Sequence, residues 1–328
     1  MVSISTQSFD ISHLVEKYRG MKLEVLYQQN HQIVRNEMGE FVELIWQESD
    51  LPYDLNLLST RRKLLYNLKT VHYIGEIIEN KLKGRGIRTL KDLRFLNYRY
   101  SESANDILHL IGKKDYESLK KNKYIDDLDV GFCFNVEDLL FLDIETLGLY
   151  NNAVIIVGIG FFKNQNYEIH LFFARKLEEE ISICEHLKNE ILPKFKCFIT
   201  FNGKRFDIPY IANRFLYYFD SNPMITELDI PYEINNTRFH HIDLYQICRR
   251  RFKGMFERYT LTNIEEQLLN WKRENELPSS MVPLCYKKYQ KNPNRYIGLI
   301  KECIDHNYYD VYSMPLILSK LLELQDYS

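Results

Sequence analysis

Residues 141–149, Phe-Leu-Asp-Ile-Glu-Thr-Leu-Gly-Leu, set two carboxylates one position apart in an otherwise apolar run. A strand sends alternate side chains to opposite faces, so Asp143 and Glu145 emerge together while Leu142 and Ile144 point the other way. Two carboxylates on one face repel unless a cation sits between them. Magnesium, which takes hard oxygen ligands together with substrate phosphate oxygens, suits such a place. Acids at a strand end facing solvent give the same pattern, so the motif by itself leaves both readings open.

A chain of 328 residues has room for one large or two medium domains. A hydrophobic share of 45% and a charged share of 27% are ordinary for a water-borne protein, and no apolar run reaches the length of a membrane span. The first ten residues lack the basic and then apolar pattern of a secretory signal, so a cytoplasmic location is the expectation. Cys133, Cys184, Cys197, Cys248, Cys285 and Cys303 are scattered without paired spacing and read as reduced, mostly buried thiols, which argues against a disulfide framework or a zinc site. With a formal net charge of -2, any attraction to nucleic acid has to come from local basic patches.

The chain reads as three stretches. Residues 1–55 form a small β-rich extension, with Lys22–Tyr27 and Phe41–Trp46 as extended segments and Asn36–Gly39 as turn residues. Residues 56–130 are helical, with Leu57, Leu58, Leu64, Leu65 and Leu68 at helical spacing, and end in an acidic connector at residues 124–129. Residues 131–328 are mixed. Strands are expected at residues 139–144, 154–162 and 167–173, a helix at 177–192, a strand at 197–201, a helix at 207–218, a strand at 240–244, and then a largely helical tail. The fold class is therefore α/β, a mixed five-stranded sheet flanked by helices and preceded by a smaller, mostly helical region.

Two further acidic signals follow in that third stretch. Residues 201–210, Phe-Asn-Gly-Lys-Arg-Phe-Asp-Ile-Pro-Tyr, turn out of a strand at Asn202 and Gly203 and put Asp207 at a helix start, where the helix dipole alone would favour an acid. Near the C-terminus, His306 and Asp310 stand four apart on one helical face, whereas Tyr308 and Tyr309 lie off that face.

Taken in order, Phe-Leu-Asp-Ile-Glu-Thr, Thr-Phe-Asn-Gly-Lys-x-Phe-Asp-Ile-Pro and His-Asn-x-x-Asp resemble the three exonuclease motifs of the ribonuclease H-like DEDD superfamily. They are most similar to the YprB-like family, a likeness that extends to residues 241–244, Arg249–Arg250, residues 261–265 and residues 282–286, over roughly residues 139–322. The resemblance implies a metal-dependent nuclease that cuts phosphodiester bonds 3'-5' from single-stranded nucleic-acid ends, with two divalent ions, Mg2+ or Mn2+, as cofactors; nucleic acid is the expected partner, DNA favoured over RNA, although nothing in the motifs reports on the 2'-hydroxyl. It implies that Asp143, Glu145, Asp207 and Asp310 hold the metals. Asp143 would bridge both ions, Glu145 and Asp310 would complete the first, and Asp207 would orient water. His306 would position or deprotonate the attacking water, although the histidine branch of the superfamily sets this residue five positions before the last aspartate rather than four. A structure-selective endonuclease and a non-catalytic nucleic-acid-binding protein are the alternatives.

Substrate contacts are expected from Asn202, Lys204, Arg205 and Thr146 near the acids, and a basic cluster of Arg249, Arg250, Arg251 and Lys253 with Phe252 and Phe256 could either track phosphates or cover an apolar core. Residues 71–93 resemble a helix-hairpin-helix module, whose glycine turn at Gly75 would offer free helix amides to a backbone phosphate, with Lys81, Lys83, Arg85, Arg88 and Lys91 around it. That family's turn carries another glycine two residues earlier, where this chain has Tyr73.

Overall fold

The computed structural model describes residues 11–49, 51, 54–224, 239–274 and 277–324, so the reading of the first ten residues lies outside it. Seven strands form one sheet: β1 (His31–Asn36), β2 (Gly39–Glu48), β3 (Leu139–Thr146), β4 (Val154–Lys163), β5 (Asn166–Phe173), β6 (Cys197–Thr200) and β7 (His240–Asp243). Their spatial order is β1-β2-β5-β4-β3-β6-β7. The pairs from β1 to β3 are antiparallel, and β3–β6 and β6–β7 are parallel. The five strands expected from the sequence are the central and parallel ones. The other two are the N-terminal hairpin, which joins the sheet because Val42 to Glu48 pair with Phe173 to Tyr167 along an edge that would otherwise be unpaired.

One extended segment is corrected: Leu23–Tyr27 is a short helix. Its apolar residues Leu23, Leu26 and Tyr27 recur at helical spacing, and all three pack on the main core. The expected helix at 177–192 is a continuous path that changes pitch, α-helical over Glu180–His186 and π-helical over Leu187–Ile191. In the helical region, Leu64, Leu68, Ile74, Leu90, Leu93 and Ile107 make an apolar cluster of their own.

Alternation along β3 sorts its side chains between two layers. Leu140, Leu142 and Ile144 join the cluster under the helices Glu180–His186 and Asp207–Phe219, whereas Leu139 and Phe141 face the layer that holds the C-terminal helix, Pro293–Glu323. Asp143 and Glu145 share the parity of Leu139 and Phe141 and so point toward that helix.

Two glycines set how closely the helix approaches. Gly158 lies opposite Asp143 on β4, and a Cβ there would sit 2.2 Å from Asn307 Oδ1 and 2.8 Å from a Val311 methyl. At Gly160 a Cβ would overlap the Tyr167 hydroxyl, which donates to the Val311 carbonyl at 2.9 Å. The helix therefore lies directly on bare backbone. Gly158→Ala should cost about 1–3 kcal/mol through forced overpacking and push residues 306–310 away from β3. Denaturant unfolding checks the first effect; an alanine variant as stable as the parent would show that the helix yields freely.

Candidate metal centre

The acids of the three motifs reach the centre from three different elements. Asp143 and Glu145 leave the end of β3, where the β3–β4 register shifts between Glu145 and Thr146. Asp207 opens the helix Asp207–Phe219 and accepts the backbone N–H of Ile144 on Oδ1 at 3.1 Å, which ties it directly to β3. His306 and Asp310 come from the C-terminal helix. His306 Nε2 lies 3.5 Å from Glu145 Oε1 and 3.6 Å from Asp310 Oδ2.

The turn that delivers Asp207 is braced from β7. Asn202 takes a left-handed backbone, φ 67°, and the N–H groups of Asn202 and Lys204 donate to the two oxygens of Asp243 at 2.9 and 3.2 Å. At the far end of that helix, buried Arg214 forms a two-pronged pair with Glu180 at 2.7 and 2.6 Å, and Glu180 also accepts the N–H of Val154 at the start of β4. The helix is thereby pinned to the strand beside β3.

Burial and crowding act on the acids in the same direction. Burial, then repulsion from Asp310, Asp207 and Glu145, holds the Asp143 carboxyl well above the usual carboxylate range. Glu145 is pushed up to about 8 by burial and by Asp310 and Asp207, against the pull of His306. Asp207 is pushed up to about 7, chiefly by burial, with two backbone N–H groups opposing. Ligand atoms of Glu145, His306 and Asp310 lie within 4.8 Å of one another. Two carboxylates at that spread, with an imidazole beside them, fit a divalent cation, which would relieve the repulsion that raises Asp143 and Glu145.

The remaining expected residues fall in several places. Arg205 is exposed beside Asp207. Lys204 Nζ pairs with Asp127 of the acidic connector. Thr146 turns inward, its hydroxyl donating to the Gly148 carbonyl at 2.8 Å. Gly75 caps the helix Glu76–Gly84 in the helical region. Arg250 pairs with Asp126 at 3.4 Å, Arg251 donates to the Leu321 carbonyl at 2.6 Å, and Phe252 is buried against Phe256, so this part of the basic cluster covers the core.

Sequence reasoning missed three contacts. Asn307, fully buried, donates from Nδ2 to Asp143 Oδ2 at 2.7 Å. The signal for it was Gly158, the residue whose missing side chain makes room for that amide. Ser279 Oγ is 3.0 Å from His306 Nε2, and Arg273 reaches Asp310 at 2.6 Å. Nothing in the spacing of either residue announced this.

These shifts fix the sign of a pH effect. A carboxyl raised by folding binds its proton more tightly in the folded chain than in the unfolded one, so the stability it contributes is lost as pH climbs toward its folded value. Without metal, the thermal midpoint should therefore fall as pH rises through the folded values of about 7 and 8 for Asp207 and Glu145. Asp207→Asn, which keeps an acceptor for the Ile144 N–H, should flatten the fall and raise the midpoint at alkaline pH. Thermal melts in chelator across this range decide; a midpoint that rises with pH would contradict the assignment.

A family model of the RNase H superfamily matches residues 140–322, more than half of the chain. The uncharacterised protein YprB of Bacillus subtilis (strain 168) is 26% identical over 184 residues, which are 55% of this chain and 41% of that protein. The chain thus spans less than half the length of this relative, and the region matched by the family model contains β3 from Leu140 onward, β4 to β7, all four acids and His306. The chain belongs to the RNase H superfamily and, within it, is similar to YprB.

Proposed function

We propose that the chain is a metal-dependent nuclease that hydrolyses phosphodiester bonds at single-stranded nucleic-acid ends in the 3'-5' direction. The observation that carries this reading is the convergence of Asp143, Glu145, Asp207, His306 and Asp310 from three elements, with the ligand atoms of Glu145, His306 and Asp310 within 4.8 Å of one another. Glu145, Asp310 and Asp143 would hold two divalent ions, Mg2+ or Mn2+, which when bound supply charge neutralisation for an in-line phosphoryl displacement. Asp207, fixed by the Ile144 N–H, would orient water. His306, steadied by the Ser279 hydroxyl, would accept the proton of the attacking water, a task for which a neutral imidazole is suited.

The hairpin at residues 71–93 would hold the polymer. Tyr73 adopts φ 69°, so this tyrosine takes the left-handed backbone that the related motif gives to glycine. Its exposed ring lies under the Arg99 guanidinium, 3.8 Å from the ring centre. The pair offers an aromatic and cationic surface next to the free amides that follow Gly75.

End-labelled single- and double-stranded DNA and RNA incubated with Mg2+ or Mn2+ test the reading. The parent should yield ladders that shorten from the 3' end of single strands, and Asp143→Asn should lower the rate at least a hundredfold. Internal cuts would replace the exonuclease with an endonuclease, and equal degradation by the variant would leave a binding protein. The hairpin is tested separately with Gly75→Val. Gly75 has an ordinary negative φ of -98° and no atom within 4 Å of an added Cβ, so the fold tolerates the change. Affinity for long single strands should drop severalfold while cleavage of very short oligomers stays at the parental rate; unchanged affinity would make the hairpin purely structural.

A further inference from the structure

The segment between Leu269 and Val282 carries a cation that the proposed chemistry leaves unused. Arg273 has a side chain only 4% exposed, and its guanidinium spans two carboxylates. Nε donates to Glu265 Oε2 at 2.8 Å, Nη2 donates to Glu265 Oε1, and Nη1 donates to Asp310 Oδ1 at 2.6 Å. Glu265 is itself fully buried, in the π-helical stretch Glu265–Leu269. The rings of Trp271 and Tyr309 pack around the guanidinium, 5.6 and 5.8 Å from its carbon. With Oδ1 taken by Arg273, the other oxygen of Asp310, Oδ2, is the one 3.6 Å from His306 Nε2.

We propose that Arg273, anchored by Glu265, is a positioning residue for Asp310. It engages one carboxylate oxygen and so presents the other to the ion that Glu145 would share. The inference rests on reading the cluster as a metal centre, and adds to that reading what fixes its C-terminal ligand.

The physical case turns on what holds the guanidinium. An arginine fork on a carboxylate has a defined plane and two donors, so Glu265 fixes Arg273 in orientation as well as in place. The third donor then restricts Asp310 to one rotamer before any ion arrives, which spares the ordering cost at binding. A partner that orients a metal ligand in this way is worth about 10- to 100-fold in metal affinity. The rival view makes Arg273 a stand-in cation that must leave when the metal binds. Leaving would strand the Glu265 charge where there is no water to solvate it, and that favours the fixed clamp.

Removing Arg273 alone strands Glu265 and risks the fold, so the test uses Glu265→Gln together with Arg273→Met, which removes both buried charges and keeps the packing volume. Arg273→Lys serves as a second variant that keeps the charge without the fork. Mn2+ binding is followed by the electron paramagnetic resonance signal of free Mn2+, with circular dichroism as the check on folding. The double variant should need about 10- to 100-fold more Mn2+ for half-saturation, Arg273→Lys should fall between it and the parent, and in nuclease assays kcat should return at saturating Mn2+. Parental affinity in a folded double variant, or in Arg273→Lys if the double variant does not fold, would overturn the clamp, and tighter binding would show that Arg273 competes with the ion. A parent that binds no Mn2+ would instead remove the metal reading itself.

Discussion

The closeness of the C-terminal helix to β4 is the contact on which the acid cluster depends. Gly158 and Gly160 leave bare backbone where any Cβ would collide with Asn307, Val311 or Tyr167. In that space Asn307 sits fully buried and donates to Asp143, linking the helix to β3 by one hydrogen bond. His306 and Asp310 flank Asn307 within a turn of helix, so the same contact sets their height and rotation relative to β3. Helix docking and assembly of the site are one event here.

That assembly concentrates like charge, and the fold offsets it with aimed donors. Ile144 N–H serves Asp207, the Asn307 amide serves Asp143 and Arg273 serves Asp310. These donors select a geometry for the carboxylates without neutralising the group, since Asp143, Glu145 and Asp207 all keep raised proton affinities. The residual tension is directional. A proton or a divalent cation relieves it, and the spread within 4.8 Å of Glu145, His306 and Asp310 favours an ion at this place.

The sequence carried this site unevenly. Period-two alternation in an apolar strand made the shared face of Asp143 and Glu145 readable, and helical spacing did the same for His306 and Asp310. The strands from Leu139 to Asp243 were readable because their apolar runs are bounded by turn residues. Asn307, Ser279, Arg273 and Glu265 were not, because their roles arise from pairings across long stretches of chain that leave no local period. Leu23–Tyr27 misled for a related reason: five residues with apolar positions at i, i+3 and i+4 are too short for their helical period to outweigh an extended reading. The turn at residues 36–39 and the strand after it were legible, whereas the partner strand His31–Asn36 was not, and the place of both beside β5 depends on an edge formed more than a hundred residues later.

The connector at residues 124–129 explains why basic residues near the acids do not by themselves make a phosphate track. Asp127 pairs with Lys204 and Lys120, Asp129 with Lys63, and Asp126 with Arg250, so one acidic strip engages cations from both the helical region and the sheet domain. The strip holds the two parts together while lowering the positive potential beside the site. Partly exposed pairs of this kind are each worth about 0–1 kcal/mol, so an incoming polyanion can exchange with them but gains little net attraction. On the proposed function, affinity for a strand then has to come from the hairpin surface around Tyr73 and Arg99 and from the ions at the acid cluster. Such a division makes grip and cleavage separable, with the polymer held by the helical region and its terminus drawn to the acid cluster by charge that the protein lacks until metal binds.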